Sequence, residues 1–235
     1  MEYFTFILIY LMLVNVIVVY PQKIDNFIAS NHRQIETGSS IIKVRSKTEC
    51  ISFCIKHNDC CFANYRDSTK KCSVGTTNRC HASSIYAYGW QLLRRGRTYK
   101  NKVFFHIGDS KIWSDAQDNC GSFGMRLATV SNFNENEFLK SVTNYPFAIW
   151  FGGSDSLSEG NWRWNKPTRS INFYDWGSVL LVSQPNGWLI SNCLAYFNCD
   201  PFGTQYQWVD EPCSVSYPFL CERVVRVDSD TWPIE

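Results

Sequence analysis

The 235-residue sequence contains no Asn-x-Ser or Asn-x-Thr triplet, so its solubility must rest on its own surface, without N-linked sugar. It has no His-Glu-x-x-His, no Gly-x-Ser-x-Gly and no phosphate-cradling glycine loop. Without those signatures, no nucleophile with its base and no open metal position can be assigned, and the chain is not expected to be an enzyme. Histidine is scarce and scattered: His32, His57, His81 and His106 share no segment, and exposed loop positions are expected for them. A net charge of +2 from 23 basic and 21 acidic residues, with no long basic block, argues against nucleic acid as a partner. No Lys or Arg precedes the apolar run near the N-terminus, and no small-x-small pattern ends it.

That run, Phe4 to Tyr20 (FTFILIYLMLVNVIVVY), is uncharged and sits where a secretory signal has its apolar core. Residues 1–22 are expected to be a cleaved signal peptide, making the product secreted and extracellular. The alternative is a retained anchor through residues 4–20, close to the lower limit of the roughly 17 to 25 apolar residues that span a bilayer. Eleven cysteines agree with export, because an oxidising compartment lets them pair. The remaining length suits two domains of unequal size.

Six cysteines, Cys50, Cys54, Cys60, Cys61, Cys72 and Cys80, crowd the first module, residues 24–95. The basic, cysteine-free Leu92 to Lys102 stretch is expected to be a linker. In SKTECISFCIKHNDC, Ser46 suits an N-cap with Glu49 three residues on, and a helix there puts Cys50, Phe53 and Cys54 on one face. CCFANYRDSTKKCSV reads as a hairpin around a polar Arg66 to Lys71 turn, in which alternation sends Cys60 and Phe62 to one face and Cys61 to the other. One of the adjacent cysteines is then expected to join the helix, while the other reaches Cys80. Zinc is the rival reading of Cys50-x3-Cys54 with His57, but export and uneven spacing favour disulfides. This stretch, with Tyr88-Gly89-Trp90 after it, resembles the PAN/apple module. The resemblance implies a small helix-on-sheet fold, Cys50 paired with Cys72 and Cys54 with Cys60, and a role in protein or carbohydrate contact. No cysteine precedes Cys50, so the outer bond of an apple domain is missing and the shorter PAN form is implied.

The second module, residues 99–224, opens on a β-rich Val103 to His106 run. Helical spacing follows over Ser110 to Gly121, with Trp113, Ala116 and Cys120 on one face. Leu127 to Val130 breaks that pattern, and a second helix over Asn134 to Val142 carries Phe138, Leu139 and Val142 as its apolar stripe. Strand-like runs come next at Ala148 to Gly153, Trp162 to Trp164, Cys193 to Phe197, Gln205 to Asp210 and Phe219 to Val225, an α+β order. Trp113-Ser114-Asp115-Ala116, Leu127-Ala128, Trp150-Phe151-Gly152-Gly153, Glu159-Gly160-Asn161-Trp162, Gln184-Pro185-Asn186, Trp208-Val209-Asp210 and Phe219-Leu220-Cys221-Glu222 together resemble the short form of the C-type lectin-like domain. The resemblance implies two helices, antiparallel strands and a long loop region, with Cys120 paired to Cys221 and Cys193 to Cys213. Cys199 is left over, and an intermolecular bond that makes a covalent dimer, displacement of Cys193, and burial all stay open. Residues 225–235 read as a C-terminal tail.

In sugar-binding members of that family, calcium held by the loop in turn holds two vicinal sugar hydroxyls. Here the matching positions are Gln184, Asn186, Ser191, Val209 and Asp210, of which only Asp210 is a carboxylate and Val209 offers no side-chain oxygen. Calcium takes six to eight hard oxygens, so a site this poor in charge is expected to be weak. A second family position would use Asp155 and Glu159, but its later ligands fall at Gly187, Ser191 and Asn192, and ordinary turn chemistry is the better expectation there. Pro185, with a cis bond before it, is expected to shape the loop with or without metal. Of the tryptophans, Trp162, Trp164, Trp176 and Trp208 read as core, while Trp188 lies in the presumed recognition loop and is the aromatic candidate for ligand contact.

The resemblance therefore implies a secreted recognition protein that binds glycans through Gln184, Asn186, Trp188 and Asp210, with weak or absent calcium dependence and a role in innate defence. The PAN-like module would add avidity or a partner contact. The alternative is a calcium-independent protein-binding or extracellular matrix component.

Overall fold

The computed structural model describes residues 26–37, 40–75, 82–143, 148–179, 181–198 and 206–225. The proposed signal or anchor segment, Cys80, His81, Cys199 and the tail beyond Val225 lie outside these, as does the side chain of Trp188. Among the described residues no helix is long and apolar enough to cross a membrane. The chain divides into two compact units, one of residues 1–79 and 85–96, the other of residues 80–84 and 97–235.

The first unit is an antiparallel sheet of β1 (Phe27–Gln34), β2 (Ile42–Lys43), β3 (Phe62–Arg66), β4 (Lys71–Gly75) and β5 (Ile85–Arg95), in the order β1-β5-β3-β4-β2, with one helix, α1 (Lys47–Lys56). Ser46 caps α1 by accepting the Glu49 N–H at 3.2 Å, and the Glu49 carboxylate accepts from the Arg45 backbone, so two otherwise orphaned donors are satisfied. Disulfides Cys50–Cys72 and Cys54–Cys60 fasten the helix to β4 and to the segment before β3. Cys61 is disulfide-bonded as well.

Three expectations for this unit are corrected. The buried face of α1 is Cys50, Ile51 and Cys54, while Phe53 is exposed, because its angular position lies about 100° from the centre of that face. Cys60 shares a core cluster with Ala63 and Tyr65 from which Phe62 is absent; β3 begins only at Phe62, so two-residue alternation does not extend back through the cysteines. The Leu92 to Lys102 stretch is no linker. Leu92, Leu93 and Arg94 are buried in β5, which pairs with both β1 and β3, and a single residue, Gly96, separates β5 from the next strand.

The second unit begins with β6 (Arg97–Tyr99) and β7 (Lys102–Lys111), then α2 (Trp113–Ser122), β8 (Arg126–Leu127), α3 (Phe133–Thr143) and β9 (Ala148–Ser154). The hairpin β10 (Arg163–Asn165) and β11 (Thr168–Ser170) follows, then the short pair β12 (Ser178–Val179) and β13 (Val182–Ser183). Last come β14 (Cys193–Asn198), β15 (Tyr206–Glu211) and β16 (Tyr217–Val224). The main sheet runs β11-β10-β9-β16-β7-β6, with β14 and β15 extending from β9 and β8 resting on β16. The β9–β16 contact, at Trp150 and Phe219, is parallel, as is an isolated bridge between Trp176 and Trp208. Two helices before the strands give the α+β order read from the sequence.

Helix α2 starts at Trp113, later than expected, because Ser110 and Lys111 remain in β7, where Lys111 pairs with Tyr217. His106 is likewise a half-buried residue of β7, and His32 lies in β1, so neither is a loop histidine. The core joins Phe104, Leu139, Phe151, Trp162, Trp164, Tyr196, Trp208 and Leu220, each fully buried Phe or Leu contributing roughly 1.5–3 kcal/mol. Cys120–Cys221 ties α2 to β16, and Cys193–Cys213 ties the start of β14 to the segment after β15.

Two buried polar groups organise this core. Asn136 on α3 accepts from the Tyr196 hydroxyl at 2.7 Å and from the Trp208 indole at 2.9 Å, and it donates to Asp175 at 2.7 Å. Glu222 on β16 pairs with Arg126 at 2.7 Å and Lys102 at 3.3 Å, while Lys102 also reaches Glu135 at 2.8 Å. Thr129 donates its backbone N–H and its hydroxyl to the same Glu222 carboxylate. Buried charges cost several kcal/mol each unless they are paired and hydrogen-bonded in this way.

Candidate functional site

The positions implied by the resemblance lie at one end of the second unit, where β9, β14 and β15 give way to loops. At the end of β9, Asp155 begins a turn: its carbonyl accepts from Ser158 N–H at 2.8 Å and its carboxylate from Gly160 N–H at 2.9 Å. Its own N–H donates to the Asn192 carbonyl at 3.3 Å, joining this turn to the segment ahead of β14. Gln184 N–H donates to Gly177, and the Gln184–Pro185 bond is cis. The chain then passes through Asn186 and Gly187 into a single helical turn, Trp188–Ile190.

Asp210 organises the next residues. One of its oxygens accepts from Asn186 N–H at 2.9 Å and the other from Gly187 N–H at 2.6 Å. Gly187 has no room for a side chain, since a Cβ there would meet Ser191 Cβ at 2.1 Å and Oγ at 2.2 Å. Asn186, Gly187, Ser191 and Asp210 therefore form one compact group, with Asp155 and Asn192 joined beside it. The Gln184 side chain makes no hydrogen bond through its buried Oε1, and Glu159 is exposed on the Asp155 turn. Val209 is buried and apolar.

Acidic groups crowd this end. Burial raises the Asp155 carboxyl, and the nearby Asp210 charge pushes it the same way, against the lowering effect of the Gly160 N–H. Desolvation, together with Asp155 and Asp210, raises Glu159. Glu211 is raised by burial and by Asp210, and Tyr217, which donates to Glu211, is pushed up to about 12 chiefly by burial.

These contacts decide which calcium position the residues fit. At the sugar-bridging position Val209 supplies no side-chain oxygen, Ser191 is neutral, and both Asp210 oxygens are committed to backbone N–H groups, so the residues do not fit that ion. Beside it, Asp155 Oδ1, Gln184 Oε1 and Asn192 Oδ1 are buried acceptors with no protein donor. Such orphaned oxygens suit a water or a weakly held cation. Among the described residues no three or more His, Cys, Asp and Glu side chains are arranged to hold a metal. The orphaned state of Gln184 and Asn192, and the role of Gly187, depend on contacts that no motif reports. Asn136 was missed because its partners lie 39 to 72 residues away.

The segments that carry this group, the Asp155 turn and the stretch from β13 to Ile190, with the residue before β13, also bear exposed apolar side chains: Leu157, Leu181, Val182, Leu189 and Ile190, with Leu181 fully exposed at 99%. Trp162, Trp164 and Trp208 are core, as read from the sequence, and Trp176 packs edge-on against Trp162 and Trp208.

Comparison with known proteins agrees with this architecture. Residues 109–223 match the Lectin C-type domain family, and residues 22–91 match the PAN domain family. A protein named Lectin from Pleurodeles waltl is 30% identical over 131 residues, covering 52% of this chain and 70% of that protein. C-type lectin domain family 4 member F from Mus musculus is 32% identical over 137 residues, 57% of this chain but only 24% of that protein. Among solved structures, the mouse scavenger receptor C-type lectin carbohydrate-recognition domain aligns with a TM-score of 0.49 at 21% identity, over 56% of this chain and 96% of that one. Because the Lectin from Pleurodeles waltl is 30% identical and covered over 70% of its own length, the chain belongs to the C-type lectin-like domain family, and it carries a PAN domain ahead of its lectin domain.

Proposed function

We infer that this is an extracellular recognition protein whose lectin domain, residues 99–224, binds a glycan at its loop end without a calcium bridge, and whose PAN domain, residues 24–95, adds a partner contact. The carrying observation is the state of Asp210: its carboxylate holds the loop through Asn186 and Gly187 N–H, beside an apolar Val209. Loop shape is thereby maintained by protein contacts in place of an ion. The exposed Asn186 side chain beside exposed Leu189 and Ile190 offers the mixed polar and apolar surface that suits a sugar's hydroxyls and C–H faces. Gln184, Asn186 and Trp188 are the contact residues in this reading, and Asp210 positions them. The relative named Lectin favours sugar as the ligand class. The disulfides favour an oxidising, extracellular compartment.

Glycan-array binding of the full chain, with calcium and with chelator, tests the reading. Retained binding in chelator, lost on Asn186→Ala, supports it; binding that vanishes with chelator, together with a melting temperature that rises with calcium, overturns the calcium-free part. No binding to any glycan would favour the second reading, a protein-binding or matrix component, for which the exposed crown of Leu181, Leu189 and Ile190 is the supporting observation.

A further inference from the structure

A second concavity lies in the lectin unit among residues that the loop end does not use. It is an open cleft of about 360 Å³, lined by Gly124, Arg126, Lys166, Pro167, Glu222 and Arg223 among others. Three of these are cations. The one carboxylate, Glu222, has a fully buried side chain and is spent on Arg126, Lys102 and Thr129. In the network beneath the cleft, Lys102 and Arg126 balance Glu135 and Glu222, so the formal charges there cancel. Exposed Lys166 then adds positive charge at the rim. Arg126 is pinned through Nε, 2.7 Å from Glu222 Oε1, which fixes the guanidinium plane while its terminal nitrogens make no hydrogen bond to a described residue. Lys166 is exposed at the turn of the β10–β11 hairpin, a stretch, Arg163 to Ser170, with three cations and no acid. A Cβ on Gly124 would meet nothing within 4 Å, so the floor at that point is open.

We propose that this cleft is a calcium-independent binding site for a sulfate ester carried on a saccharide. A fixed guanidinium facing an anion and a flexible ammonium at the rim are the donors that recognise a tetrahedral oxyanion. The volume falls in the range of roughly 300–1,000 Å³ typical of small-ligand sites, more than a lone oxyanion fills, which leaves room for the sugar ring that bears it. A phosphate ester on the same sugar would present the same oxygens. The site is separate from the loop end, so either can fail without the other.

The test uses the full chain and a heparin-derived tetrasaccharide, with its desulfated counterpart, at an ionic strength of roughly 0.15 M. The sulfated form is expected to bind, and to bind equally in chelator. Inorganic sulfate should compete, and Lys166→Glu should weaken binding about tenfold or more, as loss and reversal of one charge-assisted contact implies. Lys43→Glu, an equal charge change on an exposed strand residue of the first unit, should leave binding unchanged. Equal losses in the two variants would reduce the effect to overall charge and overturn the site, as would equal binding of the desulfated sugar or loss in chelator. A sugar phosphate outcompeting the sulfated form would overturn the choice of sulfate. Lys166 is exposed, and unchanged melting of the variant serves as the check that folding is intact.

Discussion

Gly187→Ala is the sharpest probe of the loop end, because its cost is almost entirely steric. Gly187 does not adopt a left-handed φ, so alanine's backbone preferences are not violated. The added methyl would fall 2.1 Å from Ser191 Cβ, 2.2 Å from its Oγ and 2.8 Å from Asp210 Oδ2. None of these is tolerable, and relief requires Ser191 and Asp210 to move. Overpacking of this kind costs roughly 1–3 kcal/mol. Displacing Asp210 also loosens the charge-assisted bonds from Asn186 and Gly187 N–H, so a total of about 2–4 kcal/mol is expected. For a unit of this size that lowers the melting temperature by about 6–16 °C. The second perturbation is Ser191→Gly in the same chain, which removes the two nearest atoms and leaves only the end of the Asp210 side chain to adjust. Differential scanning calorimetry of wild type, both single variants and the double variant completes a cycle. A rescuing coupling of about 1–3 kcal/mol is expected. A Gly187→Ala variant within about 0.5 kcal/mol of wild type, or a double variant no better than the sum of the singles, would refute the packing described for this loop.

Asn136→Leu should destabilise the lectin unit by at least about 3 kcal/mol, since Tyr196, Trp208 and Asp175 would each lose a buried partner; denaturant unfolding followed by tryptophan fluorescence would show it, and a loss under about 1 kcal/mol would contradict the hub. Asp155 gives a pH dependence. Its carboxyl is raised above the unfolded value, so its contribution to stability is fully present below the unfolded pKa and is lost as pH rises through the folded one. Asp155→Asn removes that loss, so in chelator the melting temperature of the variant minus that of wild type should grow as pH rises from about 4 towards 7. A difference that stays flat or shrinks would show that Asp155 is not held up by its surroundings.

Much of the architecture is legible without coordinates because it rests on local pattern and on a dense set of motifs. Trp113, Ala116 and Cys120 at helical spacing specify the buried face of α2, and Ser46 with Glu49 specifies the start of α1. The resemblance implied the pairings Cys50–Cys72, Cys54–Cys60, Cys120–Cys221 and Cys193–Cys213, and all four form, whereas Cys80, grouped with the first module by crowding, falls in the stretch assigned to the second unit. Residues with ambiguous local signals went wrong: the basic Leu92 to Lys102 stretch has the composition of a linker, yet Leu92, Leu93 and Arg94 are buried because neighbours distant in sequence pair on both sides of β5. Phe53 failed for a related reason. Its apolarity is a property of one residue, while its exposure depends on where the sheet lies under α1.

At the functional end the division is sharper. Residue chemistry alone showed that Gln184, Asn186, Ser191, Val209 and Asp210 are poor in charge for calcium, since charge and oxygen count are written in the side chains themselves. Whether an available carboxylate is free is a matter of distance. Only the fold brings Asn186 and Gly187 N–H onto Asp210, leaves Asp155, Gln184 and Asn192 with orphaned oxygens, and gathers Arg126, Lys166 and Arg223 around one cleft. Hydrogen bonds and electrostatic fields act over a few ångströms, and residues about 100 positions apart come within that range only when the chain is packed.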